Sequence, residues 1–265
     1  MPILGIFETE KTEGPIKESF WRRQFAGKRT QGQLVFDLIF GVFAPIACFA
    51  FDPIVFQSGF LGPPLFGEQQ VLVYTFSALE IIALCLWFIF GGSLRFVSAF
   101  IGSLLIWGGI ASASIGLILL PFSLFGITFF GIGLLGFTPF VTAVVYWRNG
   151  FRAWNAASGN SPLPLRAGSL FLSLVVALGV PVVVSTTIRS YVDEAVSQIL
   201  KGDTQRARAA AEGLRPLSYF ASSDLDKLVR AYVAETDPVR KQYLRDCYEQ
   251  ITGRNIQARA WILLD

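Results

Sequence analysis

The chain contains no histidine and carries little charge. Its 265 residues include no His, and only 15% are Asp, Glu, Lys or Arg. Soluble domains average about 25% charged residues, so a soluble chain of this length could not cover its surface with so few. The composition therefore predicts an integral membrane protein. The missing imidazole excludes histidine-ligated haem, imidazole zinc sites and Ser-His-Asp catalysis within this chain.

Cysteine is also scarce. The three cysteines are Cys48, Cys85 and Cys247, an odd count with no paired spacing. This pattern excludes a readable disulfide framework or metal knuckle. Cys48 and Cys85 lie in apolar runs, where a free cysteine is usually a small buried packing residue. We expect no bound cofactor.

Long apolar runs take the place of charge. A bilayer core of about 30 Å requires about 20 apolar helical residues, whereas a membrane barrel would alternate polar and apolar residues. The runs are continuous, which predicts an all-α membrane protein. The block 94–147 is too long for one helix, and we expect Pro121 to break it because proline removes a backbone donor. The sequence predicts five transmembrane helices, at 34–51, 71–90, 94–120, 122–147 and 168–188.

Lysine and arginine predict the orientation. Residues 1–33 and the connections after the second and fourth predicted helices hold 10 basic residues, whereas the opposite connections hold none. The positive-inside rule then places the N-terminus on the cytoplasmic side of the membrane. We expect this membrane to be a bacterial plasma (inner) membrane. Residues 1–33 form a cytoplasmic or interfacial segment, 34–188 the transmembrane domain and 189–265 an extracytoplasmic helical domain. A re-entrant segment would instead return the tail to the cytoplasm.

Two acidic residues fall inside predicted membrane helices. An ionisable residue within a span indicates a functional site, because burying its charge is costly. Asp37 lies near the cytoplasmic end of the first helix. We expect it to pair with an arginine at the same interface, namely Arg95, Arg148 or Arg152.

Glu80 lies near the middle of the second predicted helix, with no basic residue at its depth. Three interpretations follow. The carboxyl is neutral and hydrogen-bonded to Ser77 or Trp87, or it contacts another subunit, or it belongs to a proton or ion pathway. Burial disfavours the charged form of a carboxyl, so the first interpretation is reasonable.

Small residues recur at four-residue spacing in the third predicted helix. Gly108, Ser112 and Gly116 share one helical face. Small side chains let helices approach closely in lipid, so we expect a tight helix hairpin there.

The tail, residues 189–265, has a different composition, with 12 basic and 11 acidic residues. An apolar stripe predicts that the fifth helix continues beyond the membrane, followed by short helices in hairpins. The chain finishes on an apolar stretch that we expect to dock against a neighbour, namely Trp261, Ile262, Leu263 and Leu264.

These features favour a non-catalytic accessory, scaffold or assembly subunit. The expected partners are the lipid bilayer and other membrane-protein subunits, with no nucleic acid. The alternatives are a small transporter or proton-linked channel that uses Glu80, and an intramembrane enzyme. The last is the weakest, because the sequence shows no constellation of catalytic groups.

Overall fold

A computed structural model describes residues 30–57, 69–90, 94–130, 136–157, 163–202, 204–218 and 220–264. Helix is the only regular secondary structure that these residues form, as the sequence predicts. Helix α1 consists of three continuous segments, Gln31–Leu38, a π-helical segment Ile39–Phe43, and Ala44–Gln57. The others are α2 Gln70–Phe90, α3 Arg95–Phe130, α4 Thr138–Ala157, α5 Leu163–Lys201, α6 Thr204–Leu214, α7 Ser222–Ala234, α8 Pro238–Thr252 and α9 Ile256–Leu264.

Four of the described helices are long and apolar enough to cross a membrane. They are Gln31–Ala50, Gln70–Phe90, Arg95–Pro121 and Leu165–Lys201. Helix α4 packs along α3 but is not among them. Its second half contains Arg148, Asn149 and Arg152, so its apolar part is shorter than the predicted span 122–147. The predicted segment 1–33 lies outside the described residues up to position 29.

The predicted helix break at Pro121 is wrong. Helix α3 continues through Pro121 to Phe130, and α4 begins only at Thr138. Proline removes one backbone hydrogen bond, but in apolar surroundings the remaining bonds meet no competing water and the helix can continue. Between these two helices the sequence contains Gly131, Gly133 and Gly136.

Helix α1 begins at a capping box and contains a π-helical bulge. The Thr30 hydroxyl accepts the backbone N–H of Gln33, and the Gln33 side chain accepts the N–H of Thr30. This arrangement satisfies donors that the first helical turn leaves free. The bulge is defined by a hydrogen bond from the N–H of Ala44 to the carbonyl five residues back, at Ile39. Pro45 follows directly and has no N–H to donate.

The tail packs around the C-terminal half of α5. This helix has 39 residues, which corresponds to about 58 Å at 1.5 Å per residue. Val192, Val196 and Ile199 of α5 are buried in one core with residues of α6 to α9. The helix therefore continues past position 188, as the apolar stripe predicts. A separate buried cluster joins α2, α3, α4 and the N-terminal half of α5. Helix α5 thus belongs to both cores.

Both ends of helix α8 in the tail are capped. The Asp237 side chain caps α8 by accepting the N–H of Val239, and Pro238 occupies the first helical position. Gly253 ends α8 with a φ of 68°. This left-handed conformation is one that glycine adopts at little cost. Helix α9 then packs back onto α7 and α8.

Candidate functional site: a buried carboxyl beside a π-helical bulge

Glu80 projects from α2 into the centre of the helix bundle. The residue is 1% exposed. Gly108 of α3 lies against it, and a Cβ atom added at that position would stand 2.8 Å from Cγ of Glu80 and closer still to its carboxyl group. The absent side chain at Gly108 therefore creates the space that the Glu80 carboxyl occupies.

Both carboxyl oxygens of Glu80 are buried and have no hydrogen-bond partner among the described residues. The expected donation from Ser77 or Trp87 does not occur. The indole Nε1 of Trp87 is itself buried without a partner. A buried polar group without a partner costs free energy of about 1–3 kcal/mol, more when it is charged. Groups left in this state within a folded protein often mark sites that take a ligand or water.

The carboxyl faces a cavity of about 30 Å³ between α1, α2, α3 and α4. A water molecule needs about 10–15 Å³ on this measure, so the cavity can hold one or two small species. Its polar lining comes from one carboxyl and four hydroxyl side chains, on three helices. The lining residues are Pro45, Phe76, Ser77, Glu80, Ala111, Ser112, Ile115, Thr142 and Tyr146.

The bulge in α1 determines how two of these hydroxyls are oriented. Because Pro45 has no N–H and the bulge shifts the bonding register, the carbonyls of Phe40 and Gly41 accept side-chain donors from α4. Thr142 donates to the Phe40 carbonyl at 2.7 Å, and Tyr146 donates to the Gly41 carbonyl at 3.0 Å. Each hydroxyl has spent its only proton on α1 and can offer only lone pairs to the cavity.

The stripe Gly108, Ser112 and Gly116 does more than allow close packing. Gly108 contacts Glu80, Ser112 lines the cavity, and a Cβ at Gly116 would stand 2.9 Å from the ring of Phe140 on α4. The backbones of α3 and α4 also approach each other at Gly102 and Gly150. A Cβ at Gly102 would be 2.8 Å from the carbonyl oxygen of Gly150, and the reverse distance is 2.9 Å. The two helices pack closely as predicted, and glycine contacts lie both at the predicted stripe and six residues before it, at Gly102.

Asp37 lies in a second buried polar cluster. It is fully buried, forms an ion pair with Arg148, and accepts a hydrogen bond from Asn149 Nδ2 at 2.9 Å. This confirms the predicted pairing with an arginine. The neighbouring Arg152 donates to the Gln33 side chain at 2.9 Å. The cluster therefore fastens the beginning of α1 to the second half of α4.

The apolar ending is divided between the core and the surface. Leu263 packs against the tail core, and Ala260 is buried, whereas Trp261 is 73% exposed. The side chains of Ile262 and Leu264 lie outside the described residues. Arg259 forms a two-pronged ion pair with Asp226 of α7, with both N···O distances at 3.0 Å. This carboxylate raises the pKa of the Arg259 guanidinium.

The described residues contain no group of three or more Asp, Glu, Cys or His side chains that could hold a metal ion. Comparison with protein-family models, with curated proteins and with solved structures finds no significant match to this chain.

Proposed function

We propose that this chain is a non-catalytic multi-pass protein of the bacterial plasma membrane, which serves as an accessory, scaffold or assembly subunit of a larger membrane complex. The observation that carries this proposal is the exposure of Trp261, at 73%, on a helix that is otherwise firmly held. Ile256 and Ala260 bury the opposite side of α9, and the ion pair of Arg259 fixes its orientation.

An exposed tryptophan on a fixed helix suits a protein–protein contact. Tryptophan is over-represented among the residues that dominate binding energy at interfaces. Helix α9 already contributes Leu263 to the tail core, so Trp261 is not needed there. Because the core includes the upper part of α5, the tail is presented on a helix that runs directly from the membrane bundle.

The proposal is tested by the assembly state of the native protein. We expect the full chain, solubilised gently from its own membranes, to run with other subunits in a fixed stoichiometry. Trp261→Ala should release the chain from that assembly without changing its thermal unfolding. Glu212→Ala, at an exposed position on α6, is the control and should remain assembled. A wild-type chain that purifies alone would overturn the proposal.

We also propose five crossings, with the N-terminus cytoplasmic and the tail outside. Asp37 and Phe49 lie 12 residues apart on α1, or about 18 Å along the axis. Arginines of α4 gather at the Asp37 end, whereas Tyr74 of α2 contacts both Phe49 and Phe220 of the tail, with ring centroids 4.5 and 5.5 Å apart. This arrangement supports α4 as a further crossing, in addition to the four helices that are long and apolar enough by themselves.

The topology is tested by labelling a single engineered cysteine. Cys247 is only 4% exposed, so the exposed Val239 is the better position. In a chain without its native cysteines, Val239→Cys should react with a membrane-impermeant maleimide added to intact spheroplasts. Labelling that requires lysis would overturn the extracytoplasmic placement of the tail.

Glu80 supports a second candidate function, a small transporter or proton-linked channel. The supporting observation is the carboxyl without a partner in a polar cavity. Ionisable groups at such depth are characteristic of ion pathways. Glu80→Gln keeps the shape of the side chain and removes its charge. If Glu80 serves an ion pathway, this variant should fail to complement a deletion strain that the wild-type gene complements. Full complementation by this variant would remove the candidate.

A further inference from the structure

The cavity beside Glu80 is rich in acceptors and poor in donors. When it is ionised, the Glu80 carboxyl presents two acceptor oxygens, while the hydroxyls of Thr142 and Tyr146 donate their protons to carbonyls of α1. Only the hydroxyls of Ser77 and Ser112 remain as side-chain donors in the lining. Such a set of oxygens attracts a positively charged or donating species.

The charge of that species follows from the lining. It contains one carboxyl and no Lys or Arg. A single positive charge therefore neutralises an ionised Glu80, whereas a divalent ion would leave an uncompensated positive charge in a buried site, at high cost. Hydroxyl and carboxylate oxygens are ligands for hard cations.

We propose that the cavity binds one Na⁺ ion, held by the Glu80 carboxylate and by hydroxyl oxygens of Ser77, Ser112 and Thr142. The volume of about 30 Å³ leaves room for one water molecule as a further ligand. Two independent features support the site. They are the unpartnered carboxyl of Glu80 and the two hydroxyls, of Thr142 and Tyr146, whose protons are bonded to α1 so that only lone pairs are left for the cavity. The proposal names the ion of the second candidate function and rests on it only for its biological role, because binding can be measured without transport.

The test compares thermal unfolding of the detergent-purified full chain in NaCl, KCl and choline chloride at equal ionic strength. A ligand that binds only the folded state raises the unfolding temperature, by about 3–6 °C at ten times its Kd for a chain of this size. We expect a saturable rise in NaCl and none in choline chloride. An equal rise in KCl would overturn the assignment to Na⁺, and no rise in NaCl would overturn the site.

Matched variants place the ion. Glu80→Gln should lose the difference between NaCl and choline chloride, and Ser112→Ala should need more NaCl for the half-maximal rise. Ser114→Ala is the control, since Ser114 is exposed on the same helix and bonds to its own backbone, at the Ile110 carbonyl. Each variant is compared with itself in two salts, so a change in basal stability does not affect the result. A Glu80→Gln chain that keeps the full Na⁺ response would overturn the site.

A second measurement covers a Glu80→Gln chain that does not fold. Dicyclohexylcarbodiimide modifies protonated carboxyl groups in apolar surroundings, so Na⁺ bound to the ionised carboxylate should protect Glu80 in the wild-type protein. Peptide mass spectrometry should show less adduct at Glu80 in NaCl than in choline chloride, and equal adduct would overturn the site. Na⁺ binding without flux in proteoliposomes would refute only the transport candidate. Flux without saturable Na⁺ binding would refute only this site.

Discussion

Replacing Asp37 by asparagine should strongly destabilise the helix bundle. The carboxylate is fully buried, and the Arg148 side chain that it pairs with is 9% exposed. Asparagine keeps the shape and can still bond to Asn149, but it removes the negative charge. Arg148 is then left buried without its carboxylate, near a second arginine, Arg152. Removing one partner of a buried ion pair costs about 3–5 kcal/mol.

A double-mutant cycle separates the pair from its surroundings. Arg148→Gln removes the charge that Asp37→Asn would leave unpaired, so the double variant should be more stable than the sum of the single losses predicts. We expect a coupling free energy of about 2–3 kcal/mol, near the upper range for residues in contact. The free energy of unfolding is measured by helical circular dichroism in mixed micelles of increasing denaturing detergent.

The control for this cycle is Val35→Ala, two residues from Asp37 on the exposed side of α1, where the side chain is 54% exposed. This variant should change the free energy of unfolding by less than about 0.5 kcal/mol, as surface substitutions do. A loss of only about 1 kcal/mol in Asp37→Asn would match a solvated surface pair and would refute the argument. Strict additivity in the cycle would refute it equally.

Three further outcomes are expected. Gly102→Val should lower the free energy of unfolding by about 1–3 kcal/mol, as overpacking does, because a Cβ there would meet the Gly150 carbonyl. Gly179→Ala should be tolerated, because a Cβ at Gly179 would meet nothing within 4 Å. Unfolding in detergent compares the two variants, and equal losses would contradict the close approach of Gly102 to Gly150. Deleting 258–265 removes the ion pair and buried side chains of α9, so the tail should unfold at a lower temperature, and an unchanged temperature would count against the docking of α9. Burial raises the pKa of the Cys247 thiol, so at neutral pH less of it is thiolate and maleimide labelling should be slow until denaturant is added; rapid labelling of the folded chain would contradict its burial.

The pairing of Asp37 could be predicted because complementary charges lie at the same predicted depth. Asp37 and the arginines of α4 both lie near predicted cytoplasmic helix ends, so their pairing follows from position alone. The same reasoning identifies Glu80 as an ionisable residue inside a predicted membrane helix, but it does not predict which side chains contact its carboxyl group. Whether Ser77 and Trp87 reach it depends on side-chain direction, which spacing along a helix does not determine.

The break at Pro121 is wrongly predicted because the rule that proline ends a helix holds for helices in water. Pro121 would end a helix in a soluble domain, but α3 continues past it to Phe130. The close approach of Gly102 to Gly150 depends on the register between two helices, which spacing along one helix does not determine. The apolar ending was treated as one patch, although a helix turns successive residues by about 100°. Leu263 and Trp261 accordingly have different environments.

The bulge in α1 links the two buried acids physically. Without Pro45 and the shifted register, the carbonyls of Phe40 and Gly41 would be satisfied within the helix, and the hydroxyls of Thr142 and Tyr146 would be free to donate to Glu80. These hydroxyls bind α1 because α4 is held against it, and the ion pair of Asp37 holds α4 one to two turns below. Asp37 is thus stabilised by its own partners, while the same helix contact keeps the protons of Thr142 and Tyr146 away from Glu80. The ion pair explains why Asp37 can be buried, whereas Glu80, whose carboxyl oxygens have no partner among the described residues, is the buried acid for which we propose a ligand.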